Sequence, residues 1–224
     1  MFDFFKKALR AKSNDSELPA FPAGVSSLPL GLRVGGWVSI DALPLRMLGE
    51  ATLLKLPDEH QLIEARGCID LGQGVFLHRF YLGDELFLQI NVTETGGSGS
   101  SIDGIKFFGF FETKTPASRE ALESWLRAPS VLGQEQIEYS GKRFTRVWGE
   151  PGAWAAPVVF DELVYKNLPQ PDFDLTHYAM LFERQLPNDR IEYLLISVED
   201  SGPNDYCVVY SIGLDLSIAD LEIF

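Results

Sequence analysis

The sequence predicts a mainly β fold, α+β with minor helix, built from antiparallel hairpins and meanders. Three observations carry this. About ten short runs alternate apolar and polar residues or are rich in Val, Ile, Phe and Tyr, and clusters of Gly, Pro, Asn and Asp separate them. The runs VFLHRFYL (75–82) and ELFLQINV (85–92) are joined by Gly83-Asp84 alone, the length of a two-residue hairpin turn. Within the body of the chain only residues 116–127 combine helical spacing with a start signal. There Thr115-Pro116 supplies an N-cap and a first-turn proline, and Leu122, Trp125 and Leu126 form one buried stripe.

The hairpin organises the rest. Gly83 at the first central position of a type II′ turn would pair Leu82 with Glu85, and therefore Phe80 with Phe87. Side chains alternate along a strand, so Val75, Leu77 and Tyr81 are expected on one face with Leu86, Leu88, Ile90 and Val92. Phe76, His78, Phe80 and Leu82 are expected on the other with Phe87, Gln89 and Asn91. The first face reads as core. The second is half polar, and His78, Gln89 and Asn91 within its aromatic surround are a candidate ligand groove. The plainer account of His78 is a half-buried histidine that finds one hydrogen-bond partner.

Composition narrows the class of function. A chain of 224 residues can bury roughly 70% of the surface its unfolded form exposes, so a core forms without staples. With 46% hydrophobic residues the chain is not disordered, and no apolar run approaches the ~20 residues of a membrane-spanning helix. The net charge of −13 repels phosphate backbones and argues against a nucleic-acid partner. Cys68 and Cys207 sit in apolar runs and read as small buried hydrophobes. No secretory signal is visible, because Lys6, Lys7 and Arg10 follow the Phe-rich run, and a cytoplasmic location is expected.

In chain order, residues 1–27 form a separate N-terminal segment and linker. Met1 to Lys12 reads as a short amphipathic helix with Phe2, Phe4, Phe5, Ala8 and Leu9 on one arc and Asp3, Lys6, Lys7 and Arg10 opposite. It carries four basic residues and one acidic, leaving 15 basic and 31 acidic for the remainder. So short a helix is marginal alone and needs a surface: an anionic membrane, a partner protein or its own acidic body. Phe2, Phe4, Phe5, Lys6, Lys7, Leu9 and Arg10 are the candidate contact residues.

Ordered structure is expected from Leu28. Gly35-Gly36 would turn Leu32–Val34 back on Trp37–Ile40, Asp41 would cap a short helix near Pro44, and Gln61–Leu71 would form a strand interrupted at Gly67. Residues 28–129 and 130–224 read as two β-rich units, either a divergent repeat or one packed domain. Ile137–Gly141 echoes Ile63–Gly67, and Glu192–Asp200 echoes Glu85–Glu94. The plainer alternative is that antiparallel strands resemble one another.

No catalytic signature emerges. GGSGS (96–100) fails the nucleophile elbow at its last position and lacks a following helix. Gly72-Gln73-Gly74 lacks the third glycine of a dinucleotide loop, and His60, His78 and His177 have no helical i, i+4 spacing. No catalytic residue, metal site or cofactor is therefore assigned, and a non-enzymatic protein is expected over an enzyme. A tight gathering of acid, base and nucleophile from distant segments would argue the other way.

The phrases LPLGLRVGG, IEARGCIDLGQGVFLHRFYLGDELFLQI and EYLLISVED resemble the YjfK-like family of bacterial proteins of unknown function. The resemblance runs from about Leu28 to the end and includes no catalytic motif. It implies no established activity, a cytoplasmic bacterial protein, and gene neighbourhood with PspA-like membrane-remodelling and small membrane proteins. The expected role is thus an interaction or accessory protein with a PspA-like or membrane-bound partner, possible membrane contact and a link to a membrane-stress assembly. The alternative is a small-ligand binder or enzyme using the groove around His78 and Gln89.

Overall fold

The walls of the molecule are long strands whose apolar residues fall on both faces, and this follows from runs such as FFGFF and CVVYSIGL that leave no face free for water. The computed structural model describes residues 28–41, 43–57, 60–83, 85–95, 99–166 and 170–224. The expected N-terminal helix and its contact residues, Phe2, Phe4, Phe5, Lys6, Lys7, Leu9 and Arg10, lie outside them.

Eight strands close on themselves. They are β2 (Gln61–Gly72), β3 (Val75–Leu82), β4 (Leu86–Thr95), β5 (Gly99–Lys114), β8 (Val158–Tyr165), β9 (Phe173–Gln185), β10 (Ile191–Gly202) and β11 (Asp205–Leu216). Pairing runs β2-β3-β4-β5-β11-β10-β9-β8 and returns to β2, every contact antiparallel. The register is staggered as a tilted barrel requires. From Phe80 it leads through Leu88, Phe107, Leu214 and Glu192 to Arg184. From Arg79 the other way, through Gly67 and Val164, it reaches Phe173, near the opposite end of β9.

Four barrel strands come from residues 28–129 and four from 130–224. β4 and β10, whose sequences echo, are each third in their set, whereas Ile137–Gly141 lies outside the barrel in β6 (Gln136–Tyr139) and the following turn. The sheet extends beyond the barrel at β1 (Trp37–Ile40) with β12 (Leu221–Ile223), and at β7 (Lys142–Arg146) with β6.

Two large apolar cores result among the described residues, beside a small cluster of Cys68, Phe76 and Tyr165. The inner one joins Ala65, Ile69, Tyr81, Phe87, Phe108, Val164, Leu175, Leu181 and Leu195. The outer one lies on the other strand face, where Leu88, Ile90, Phe107, Ile196 and Ile212 are covered from one side by Leu32, Val38, Leu45, Leu48 and Leu54. Leu122, Leu132, Ile137 and Phe144, from the connection between β5 and β8, join the same outer core.

The mainly antiparallel β prediction matches this architecture, while three local expectations are corrected. Leu82 pairs with Leu86, not Glu85, because Glu85 adopts φ 65° and makes the loop three residues long. That one-residue shift exchanges the faces of the hairpin: Tyr81 opposes Phe87, Phe80 opposes Leu88, and His78 opposes Ile90. The helix α2 spans Arg119–Trp125, shorter than residues 116–127, and its cap is Ser118, which accepts from the Ala121 amide at 3.1 Å. β5 runs on to Lys114, so Thr115-Pro116 serves to leave the strand. Gly35 and Gly36 bond to Ile63 of β2 and make no hairpin with β1. The short helix α1 (Leu43–Arg46) does carry Asp41 at its start, accepting from the Leu43 amide at 3.0 Å.

Candidate functional site

The interior of the barrel is not uniformly apolar. Arg79 on β3 reaches Glu162 on β8 at 2.9 Å and His177 on β9 at 3.5 Å. β3 and β9 are not neighbours in the wall, so this contact crosses the interior. What lets it form is Gly67 on the intervening strand: a Cβ there would lie 1.6 Å from Glu162 Oε1. β2 passes through Gly67 without the interruption expected there, and the glycine is instead the space into which a buried carboxylate fits.

Around that ion pair the partners are specific. Tyr81 Oη donates to Glu162 Oε1 at 2.6 Å, Arg79 Nε donates to Gln89 Oε1 at 3.1 Å, and Gln89 Nε2 donates to Asn91 Oδ1 at 3.4 Å. His177 stacks on Phe160 with ring centres 4.9 Å apart. Its Nε2 lies 2.8 Å from Glu162 Oε2, its Nδ1 2.9 Å from Ser197 Oγ, and Glu199 Oε1 stands 3.8 Å from Nδ1.

Electrostatics fix the protons. Burial alone would raise the Glu162 carboxyl, but the Arg79 guanidinium and hydrogen bonds from His177 and Tyr81 outweigh it and draw it down to about 2. Glu162 is therefore an acceptor only, which puts the His177 proton on Nε2 and leaves Nδ1 to accept from the Ser197 hydroxyl. Burial lowers His177 against the opposing pull of Glu162, so the ring is neutral. Glu199 goes the other way. Burial, only partly offset by Arg79 and reinforced by Glu162, pushes it up to about 8, and its Oε2 has no hydrogen-bond partner among the described residues. At neutral pH the cluster holds one cation, one anion and a protonated carboxyl, so its net charge is zero.

This arrangement does bring an acid, a histidine and a hydroxyl together from three strands. Its chemistry is limited by access. Arg79, Glu162, His177, Ser197 and Glu199 are each no more than 4% exposed. Apolar side chains of the inner core flank them, and none lines either of two clefts on the surface, of 650 Å³ and 590 Å³. Among the described residues Ser197 Oγ is buried and engaged with His177, and the Glu162 carboxylate is engaged with Arg79. The cluster is a polar core whose hydrogen bonds join β3 and β4 to β8, β9 and β10.

The sequence-predicted groove is divided by the wall. Gln89 and Asn91 face inward with Arg79, whereas His78 faces the outer side beside Phe76, and burial with the nearby Arg66 charge lowers its ring to about 4. The groove between His78 and Gln89 is not formed, because the three-residue turn puts them on opposite faces. Cys68 and Cys207 are buried free thiols. Among the described residues no three His, Cys, Asp or Glu side chains are placed to hold a metal, and no helix is long and apolar enough to cross a membrane.

Sequence reasoning missed Arg79, Glu162, His177, Ser197 and Glu199. The available signal was a charged residue inside each of two apolar runs, Arg79 and Glu162, together with Gly67 inside a third.

A family model described as a protein of unknown function (DUF2491) matches residues 4–222. The uncharacterized protein YjfK of Escherichia coli (strain K12) is 32% identical over 234 residues, covering 100% of this chain and 99% of that protein. No solved structure matches.

Proposed function

This chain belongs to the DUF2491 family of proteins of unknown function, and on that premise we propose that it is a non-enzymatic accessory protein of the cytoplasm. It docks through its basic, Phe-rich N-terminal segment on an anionic membrane surface, as part of a membrane-stress assembly. The observation that carries this reading is the division of charge. The first 12 residues hold four basic side chains and one acidic, the remainder 15 and 31. A short helix with a Phe arc and a Lys/Arg arc is attracted to anionic lipid by its charge and anchored by its apolar face, at about 1 kcal/mol for each basic side chain near the surface. An acidic barrel repelled by the same surface stays clear of it.

The buried cluster supports the same reading, since its acid, histidine and hydroxyl are engaged with one another. The test is co-sedimentation of the full chain with anionic vesicles, comparing wild type with the triple variant Phe2→Ala, Phe5→Ala, Leu9→Ala. Wild type binds and the variant stays in the supernatant; equal binding of the two, or none by either, removes the membrane docking role. If the segment's target is instead a PspA-like or other membrane-bound protein, a pull-down loses that one companion in the triple variant.

A further inference from the structure

One corner of the molecule differs from the rest of its surface. β1 and β12 are joined there through the reciprocal bonds of Trp37 and Phe224 and through the Asp41 amide on the Asp220 carbonyl, at 2.8 Å. The α1 helix and the 3-10 turn Ile218–Asp220 flank that pair. Among the described residues nine large apolar side chains are exposed; Leu43, Met47 and Ile218 are at the α1 end of the β1–β12 pair, and Trp37 and Phe224 are at its other end. Leu43 and Met47 are 68% and 78% exposed, and the Met47 amide bonds the Leu43 carbonyl, so both lie on one side of the same turn. Between α1 and β12 the chain leaves a cleft of 590 Å³, whose lining includes Asp41, Asp220 and Glu222 against the single guanidinium of Arg46.

An acidic cleft with exposed Leu43 in its lining, and with Met47 and Ile218 exposed close by in the chain, is the complement of a short segment that carries Phe2, Phe4, Phe5 and Leu9 together with Lys6, Lys7 and Arg10. That segment belongs to the same chain. The described structure begins at Leu28, in the stretch that leads directly into β1, and residues 11–27 can span about 50 Å when extended. We propose that the β1–α1–β12 corner is the docking site of the chain's own residues 2–10, which the corner and the anionic membrane bind in competition. This rests on the reading of the N-terminal segment as the contact element, and it adds the site that holds that element when no membrane is present. Tethering gives the segment an effective concentration in the millimolar range at the corner, so weak contacts suffice to fill it.

The test uses the full chain and the release of N-terminal peptides by trypsin at Lys6, Lys7 and Arg10, followed by mass spectrometry. The corner variant is Leu43→Ser, Met47→Ser, Glu222→Lys, all at exposed positions. A second variant, Phe2→Ala, Phe5→Ala, Leu9→Ala, disrupts the same contact from the other side. Cleavage in wild type is slower than in either variant by at least about tenfold, independent of protein concentration, and salt at about 0.5 M removes much of the protection. The corner variant also binds anionic vesicles several-fold more tightly, because the competing site is gone.

Equal cleavage of wild type and corner variant overturns the proposal, and so does protection that rises with protein concentration, which would make the occupant a second copy. Loss of vesicle binding in the Phe variant with unchanged cleavage in the corner variant defeats this inference and leaves the docking function standing. Protection lost in both variants, with no vesicle binding by any form, does the reverse.

Discussion

Gly67 is the residue on which the interior depends most, because it decides whether a carboxylate and a guanidinium can meet across the barrel. Gly67→Ala would place a Cβ 1.6 Å from Glu162 Oε1 and 2.6 Å from its Cδ, so the carboxylate must leave Arg79 or the strand must shift. The expected loss is about 3 kcal/mol or more, the cost of overpacking together with a half-broken buried ion pair. Denaturant unfolding measures it, and a loss within about 0.5 kcal/mol, as at an indifferent surface position, would show that the pair does not hold the barrel. Glu199 gives a signature in pH. Its carboxyl titrates near 8 in the folded chain against an ordinary 4.5, so between those values the native state keeps a proton that the unfolded state has released. Stability from this group therefore falls as pH rises from about 4.5 to about 8 and is level above. Glu162 acts oppositely and lower down: its contribution is complete above 4.5 and is lost as pH falls toward 2. Glu199→Gln removes only the first of these, so its stability relative to wild type should grow on the order of 3 kcal/mol between pH 5 and pH 8.5. A constant difference across that range would contradict the assignment of a proton to Glu199.

The strands carry the next lesson, since their positions were legible in the sequence and their partners were not. Runs such as ELFLQINV and EYLLISVED announce β4 and β10 by composition, and both are buried on two faces. That double burial is why the hairpin register could not be read: with apolar residues on either side, a shift of one residue keeps hydrophobic contacts and exchanges only their partners. Glu85 at positive φ, a turn-level detail, decided it. The same shift separated His78 from Gln89, so the candidate groove failed through a turn and not through a wrong choice of residue types. The interior cluster was illegible for another reason, because it depends on β2 meeting β8 and β5 meeting β11, pairings between distant segments that local periodicity does not encode. Outside the barrel, Glu192 makes a comparable link from strand to cover. It is fully buried and accepts from Thr52 Oγ1 at 2.5 Å, the Leu53 amide at 2.7 Å and Arg184 Nε at 2.7 Å, fastening residues 51–54 onto β9 and β10. Glu192→Ala should leave those donors without an acceptor and raise amide hydrogen exchange at Leu53 and Leu54 well above wild type, while β10 itself stays protected. Unchanged exchange at both amides would mean that apolar contacts alone hold the cover.

For the whole molecule, the account separates a closed barrel from the segment that precedes it. The barrel is acidic, its reactive groups are neutralised inside, and its walls are buried on both faces over much of their length. The first 12 residues carry the opposite charge and three phenylalanines, Phe2, Phe4 and Phe5. If the protein works by docking, its association with lipid must follow lipid charge and ionic strength, and it must be indifferent to the buried hydroxyl at Ser197. The most direct measurement is a binding isotherm of the full chain on vesicles of rising anionic lipid content, at low and at high salt. The account predicts binding that climbs with anionic content, weakens strongly with salt and is the same for Ser197→Ala. Binding that ignores lipid charge, or no binding at any composition, would contradict it.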